Sequence, residues 1–291
     1  MMKLKHYPML LIPVCLVTFV LRALELILCI DPRSGYFTVG SVLPTVMNVF
    51  LLLVALLFAT VLLTKRELKP TAVRLRRASR TELILGIAAA MATVAYALSR
   101  WLVLLFDKTV PLSDCIKSPD FLLVLLALGS AVFLIFYVTY PKVSAKQNLW
   151  RAMSLFLTGY TLLLLVRNFL DPDVAFSHAF GIYHVVFYGM AAAASVSFSK
   201  IMARLFGRKA FFFFTCMMTV FAALRLADTV LALIPENPYA VPETLFATVA
   251  DLLLTGFYLW QMKKLLKPVK KRRPVEEAPA EEEPSEPAQE A

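Results

Sequence analysis

Charged side chains are scarce in this chain. Asp, Glu, Lys and Arg make up 17% of its 291 residues, against about a quarter in a soluble globular domain. An ordinary water-facing surface is therefore excluded over most of the length. Glycine is scarce too, at 9 residues, and no Walker loop, G-x-G-x-x-G turn or G-x-S-x-G elbow stands in a usable context. There are only 3 histidines and 4 cysteines. No H-E-x-x-H occurs, and Cys15, Cys29, Cys115 and Cys216 form neither a C-x-x-C pair nor a Cys/His metal spacing. Cysteines in apolar runs behave as small hydrophobes. Cys29 and Cys115 fall near the same membrane face, which leaves a disulfide between them open. Asp171, Asp173 and His178, in "DPDVAFSH", read as a helix-to-helix turn rather than a metal site. No metal and no cofactor is expected.

Apolar residues fill the space that charge leaves. Hydrophobic side chains account for 59% of the chain and the mean hydropathy is +0.72. Eight runs reach the ~20 residues needed to cross a hydrocarbon core: 7–30, 41–64, 83–106, 121–141, 149–170, 177–198, 210–234 and 244–262. The expected fold is an all-α integral membrane bundle of eight transmembrane helices in four antiparallel hairpins, occupying 1–267. Residues 268–291, ending "PVEEAPAEEEPSEPAQEA", hold too few apolar groups to fold and are expected as a disordered, Pro/Glu-rich cytoplasmic tail. The first run is too long for a signal-peptide core and lacks a small-x-small cleavage site, so it reads as a retained helix. The aromatic run "FFFF" at 211–214 reads as lipid-facing and interfacial.

The formal net charge is +10. Because the basic residues fall between apolar runs, the positive-inside rule accounts for them and no nucleic-acid partner is expected. Lys3 and Lys5 precede the first run, and segments 65–82, 142–151, 199–209 and 263–273 hold seven, three, four and seven Lys/Arg. The alternate loops hold one, two, none and none. This bias predicts a multi-pass protein with both termini cytoplasmic and the lipid bilayer as its main partner; protein partners are not legible. The stretch "RLRRASR" at 74–80 looks like a basic kinase site but is explained by the same bias.

A few ions interrupt the apolar runs. Arg22 and Glu25 are three apart, as are Arg225 and Asp228, so each pair shares a helical face. A lipid-facing charge at the bilayer centre costs about 2.5–3.5 kcal/mol on insertion scales, so these groups are expected to face the bundle interior. Arg100 and Arg167 lie nearer the outer ends, where snorkelling to the headgroups is the alternative. Arg22 and Arg225 are deeper, roughly 13–16 Å at about 1.5 Å per residue. Asn48, His184 and Asp251 sit at comparable depth in the returning helices. Arg22, Arg100, Arg167 and Arg225 each occupy a rising helix, a weak echo of a fourfold repeat.

Together Arg22, Glu25, Asn48, Arg100, Arg167, Asn168, His184, Arg225, Asp228 and Asp251 define one expected outer-leaflet slab. Four arginines against three acids leave positive charge, which favours a small anionic or zwitterionic ligand. The leading expectation is a non-enzymatic protein that binds or transports a small polar solute through an outward-facing pocket. A sensor or accessory subunit, signalling through the basic 65–82 loop or the tail, is the alternative. A membrane enzyme using His184 and Asp251 as acid and base is the third. The inner halves of the helices read as apolar, which weighs against a continuous transport path.

The element "RALELILCIDPRSGYF" resembles one found in uncharacterised multi-pass membrane proteins of Firmicutes-type bacteria. There an Arg in an apolar helix precedes a D-P-x-x-G-aromatic-aromatic turn. The matching positions here are Arg22, Asp31, Pro32, Gly35, Tyr36 and Phe37, about 20 residues of 291. The resemblance implies a bacterial plasma membrane as the setting and no particular activity.

Overall fold

In an apolar medium every backbone N–H and C=O must be satisfied within the chain, which makes helix the default for such runs. The computed structural model bears this out. It describes residues 7–29, 38, 40–63, 78–107, 110–139, 147–170, 181–203, 205, 207–233 and 243–265. Among them the only regular elements are α1 (Tyr7–Cys29), α2 (Leu43–Leu63), α3 (Arg80–Phe106), α4 (Leu112–Lys117), α5 (Pro119–Thr139), α6 (Gln147–Leu170), α7 (Gly181–Met202), α8 (Arg208–Ala232) and α9 (Glu243–Leu265). All but α4 are long and apolar enough to cross a membrane. The chain is a multi-pass membrane protein. Lys3, Lys5, the turn at 31–37, Asp171, Asp173, His178, most of "RLRRASR" and the 268–291 tail lie outside the described residues.

Several helices run past their apolar stretches. Arg80, Lys200, Arg208, Lys209, Lys263 and Lys264 are helical rather than loop residues, because a helix need not stop where the hydrocarbon does. The segment 107–120 is also not a plain loop. It contains α4, whose Cys115 is buried and whose carbonyl at Cys115 accepts from Trp101 Nε1 at 3.2 Å. All four cysteines are free thiols, so the Cys29–Cys115 disulfide does not form.

Six helices form a closed ring. α3 packs on α5, α5 on α6, α6 on α7, α7 on α8, α8 on α9, and α9 returns to α3. The first two helices stand apart, with α1 and α2 packing mainly on α8 and on each other. Small residues permit these approaches. The buried stripe of α3 is Gly86, Ala89, Ala90, Thr93, Tyr96 and Ala97, and a Cβ on Gly86 would meet Val138 Cγ1 of α5 at 2.5 Å. We expect Gly86→Leu to cost about 1–3 kcal/mol through overpacking, read as a lowered midpoint in denaturant unfolding of the purified protein. A neutral result would mean that α3 and α5 do not meet there.

Candidate functional site

Most of the ions interrupting the apolar runs are buried, as their cost in lipid requires, and Arg100, Arg167 and His184 are partly buried. Direct contacts group them into three clusters on different helix interfaces, and His184 lies within electrostatic reach of both Arg22 and Arg225.

The first joins α1 to the ring. Arg22, wholly buried, donates from Nη1 to Glu25 Oε2 at 2.7 Å and from Nε to Asp228 Oδ1 of α8 at 2.7 Å. Its guanidinium lies over the Tyr183 ring, 4.7 Å from the centroid. Tyr183 donates to Asn48 Oδ1 of α2 at 3.2 Å, so α7 holds both outer helices. His184 Nε2 approaches Asp228 Oδ2 at 3.6 Å, longer than a hydrogen bond.

The second lies inside the ring. Arg225 of α8 pairs with Asp251 of α9 and donates to Tyr188 Oη of α7 at 2.7 Å. Tyr188 in turn donates to Asp251 Oδ2 at 3.1 Å. The guanidinium is flanked by Phe187 and Tyr188, 5.3 and 5.1 Å from the ring centroids. Tyr96 of α3 and Tyr160 of α6 lie within electrostatic reach. Three ring helices, α7, α8 and α9, therefore meet at one ion pair, whose side chains are only 4% and 7% exposed. The Arg225 Nε finds no acceptor among the described residues.

The third cluster sits where α3 and α6 end and α5 begins. Arg167 pairs with Asp120, and Arg100 Nε lies 3.9 Å from the same carboxylate. These side chains are 11–22% exposed, more than those of the central pair. Arg100 and Arg167 thus have a carboxylate partner in the bundle and do not depend on the headgroups. Asn168, by contrast, bonds only within its own helix, to the Leu164 carbonyl at 2.8 Å.

Asp120 corrects the expected charge balance. Read as a loop residue, it left four arginines facing three acids. The structure places it as a fourth acid, so the clusters pair four arginines with Glu25, Asp120, Asp228 and Asp251. Its signal was its position, at the start of an apolar run and directly after a proline, where helix N-termini favour carboxylates.

The half of the ring away from these clusters, expected from the sequence to be apolar, is not uniformly so. Ser195 Oγ and Tyr258 Oη are hydrogen-bonded at 2.6 Å, and Ser195 Oγ accepts from Thr161 Oγ1 at 3.2 Å. Thr158 and Ser199 pair at 3.2 Å. Next comes an aromatic plug centred on Phe198. Its ring centroid lies 5.6 Å from Phe211, 5.7 Å from Tyr137, 5.8 Å from Tyr258, 6.1 Å from Phe257 and 6.4 Å from Phe133. Phe211 and Phe212 are buried rather than lipid-facing, because Phe211 packs on Phe198 and Tyr258. At the end of the ring, Glu82 is 1% exposed. It accepts from Gln261 Nε2 at 2.9 Å and Lys264 Nζ at 2.6 Å, while Tyr137 donates to Gln261 Oε1 at 2.9 Å. This lock joins α3, α5 and α9. Its sequence signal was present in "SRTE", where Ser79 and Glu82 form a capping box.

The four rising-helix arginines occupy unlike settings, with partners on α1 and α8, on α9, and on α5. Among the described residues no group of three or more His, Cys, Asp or Glu side chains is arranged to hold a metal. Comparison with protein-family models, curated proteins and solved structures finds no match to this chain.

Proposed function

We propose that the six-helix ring binds a small polar solute at the Arg225–Asp251 pair and moves it across the plasma membrane, with both termini cytoplasmic as the Lys/Arg bias predicts. One observation carries this reading. A charged pair sits inside the ring and is contacted from α7, α8 and α9, with Tyr96 of α3 and Tyr160 of α6 within electrostatic reach. Simple helix adhesion needs two helices, and here a third, α7, spends a phenolic hydroxyl and two ring faces on the same point. Alternating hydroxyls below it, at Thr161, Ser195 and Tyr258, supply the polar continuation that transport needs. The Phe198 plug and the Glu82–Gln261–Lys264 lock close the cytoplasmic end in this state. Asp120, with Arg100 and Arg167, marks the outer mouth. The Arg22 cluster fastens α1 and α2 to the ring and takes no part in binding.

The reading is tested by water access. Ser195→Cys, examined in right-side-out and inside-out membrane vesicles, should react with a membrane-impermeant maleimide. The parent chain, whose native thiols are mostly buried, serves as the blank, and Leu128→Cys on the exposed apolar face controls for lipid contact. Ser195→Cys remaining as inert as Leu128→Cys from both sides would overturn the proposal.

A further inference from the structure

Resting on that reading, we infer that the solute is a zwitterion carrying a carboxylate and an ammonium on neighbouring atoms, as in an α-amino acid. The argument begins from charge. The site holds one guanidinium and one carboxylate, already neutral together, and the surrounding clusters add no surplus, since every arginine faces an acid. A bare anion taking Arg225 would strand Asp251 in a nearly dry interior. A bare cation taking Asp251 would strand Arg225. Either leaves a buried charge without its counter-ion, which costs several kcal/mol. A zwitterion replaces both partners at once: its carboxylate accepts from Arg225 and its ammonium donates to Asp251.

Geometry agrees with that exchange. The Arg225 Nε has no acceptor among the described residues while Nη1 serves both Asp251 and Tyr188. One edge of the guanidinium is thus committed and a donor is left over. A planar ligand carboxylate spanning Nε and a terminal nitrogen makes the bidentate contact for which the guanidinium fork is shaped. Tyr188 and Phe187 of α7 contact the pair, and Tyr96 of α3, Tyr160 of α6 and His184 of α7 lie within electrostatic reach. The imidazole of His184 is directed to Asp228, at 3.6 Å, so it belongs to the neighbouring cluster and leaves the pair's own charges to the ligand. Phenolic hydroxyls can donate to the ligand carboxylate, and the ring faces suit an ammonium.

The test uses the purified full-length protein in detergent or nanodiscs and thermal unfolding as the readout. Three pools serve as probes at equal concentration: α-amino acids, the amines that lack their carboxylates, and the carboxylic acids that lack their ammonium groups. The amino-acid pool should raise Tm, by about 5–10 °C where a component exceeds its Kd a hundredfold, and the other two should not. In Asp251→Asn the amide retains the hydrogen bonds but not the charge, and the carboxylic-acid pool should become the stabilising one. A parent protein stabilised equally by acids or by amines would overturn the zwitterion while leaving a polar solute in place. No shift with any pool would overturn it as well, and the Ser195→Cys labelling would then judge the transport reading independently. An Asp251→Asn variant with the parent's ligand preference would also overturn it.

Discussion

Arg225→Ala is expected to lower the unfolding free energy by about 3–5 kcal/mol, because it leaves Asp251 buried without its counter-charge, and to do so more than truncation of any arginine at the outer mouth. The partner truncation, Asp251→Ala, should behave alike by stranding the guanidinium. The informative variant is the double one. Arg225→Met combined with Asp251→Leu replaces a buried ion pair with apolar groups of similar volume, an exchange that is often neutral or stabilising. Its unfolding free energy, measured in bicelles, should return to about the parent value. If the pair exists only to hold helices together, this double variant is a complete replacement. If it is the binding site, the double variant folds and yet loses every ligand-induced shift in Tm. Stability and binding thereby separate, which no single substitution at either position can achieve.

The second large effect concerns the end of the ring that the proposed orientation places in the cytoplasm. Phe198→Ala removes the hub of five aromatic contacts and should cost about 3–5 kcal/mol, the range for truncating a fully packed phenylalanine. The same substitution should speed maleimide labelling of Ser195→Cys from the cytoplasmic side by about tenfold or more, the factor that roughly 1.4 kcal/mol of lost closure produces. Labelling from the outer side should change little. A loss of stability with no change in labelling would make the plug ordinary core, leaving Glu82, Gln261 and Lys264 as the remaining candidates for closure.

The eight spans were legible because the bilayer dictates composition over whole runs, a constraint strong enough to survive ignorance of every contact. The site was legible only in part. Arg22, Glu25, Arg225, Asp228 and Asp251 stand out against apolar neighbours, and their burial follows from the cost of leaving them in lipid. Which helix answers which charge does not follow, since partners lie as far apart as Arg22 and Asp228, 206 positions away. For that reason the buried ions could be named from the sequence but not the three contact clusters into which the structure sorts them. Asp120 and Glu82 were missed for a different reason. Both sit at helix starts beside loop charges, where a carboxylate is unremarkable, and only the capping box around Glu82 betrayed a structured beginning. Tyr188, Tyr160 and Tyr96 carried no signal at all, because a tyrosine in an apolar run looks like any other large side chain.

The separation between Arg22 and Asp228 also sets a clock. At about 5–20 residues per second of synthesis, the 206 positions between them correspond to roughly 10–40 s during which α1 exists and α8 does not. Throughout that interval the guanidinium would face the membrane without its final partner. Glu25 lies three residues away on the same helix and pairs with it in the finished structure, a contact that needs no other helix, so the first helix can enter the bilayer carrying its own counter-ion. Glu25 is then the companion for the wait, and Asp228 for the finished bundle. Removing Glu25 would be felt by the cell as failed insertion and early degradation, well before any assay of the mature protein.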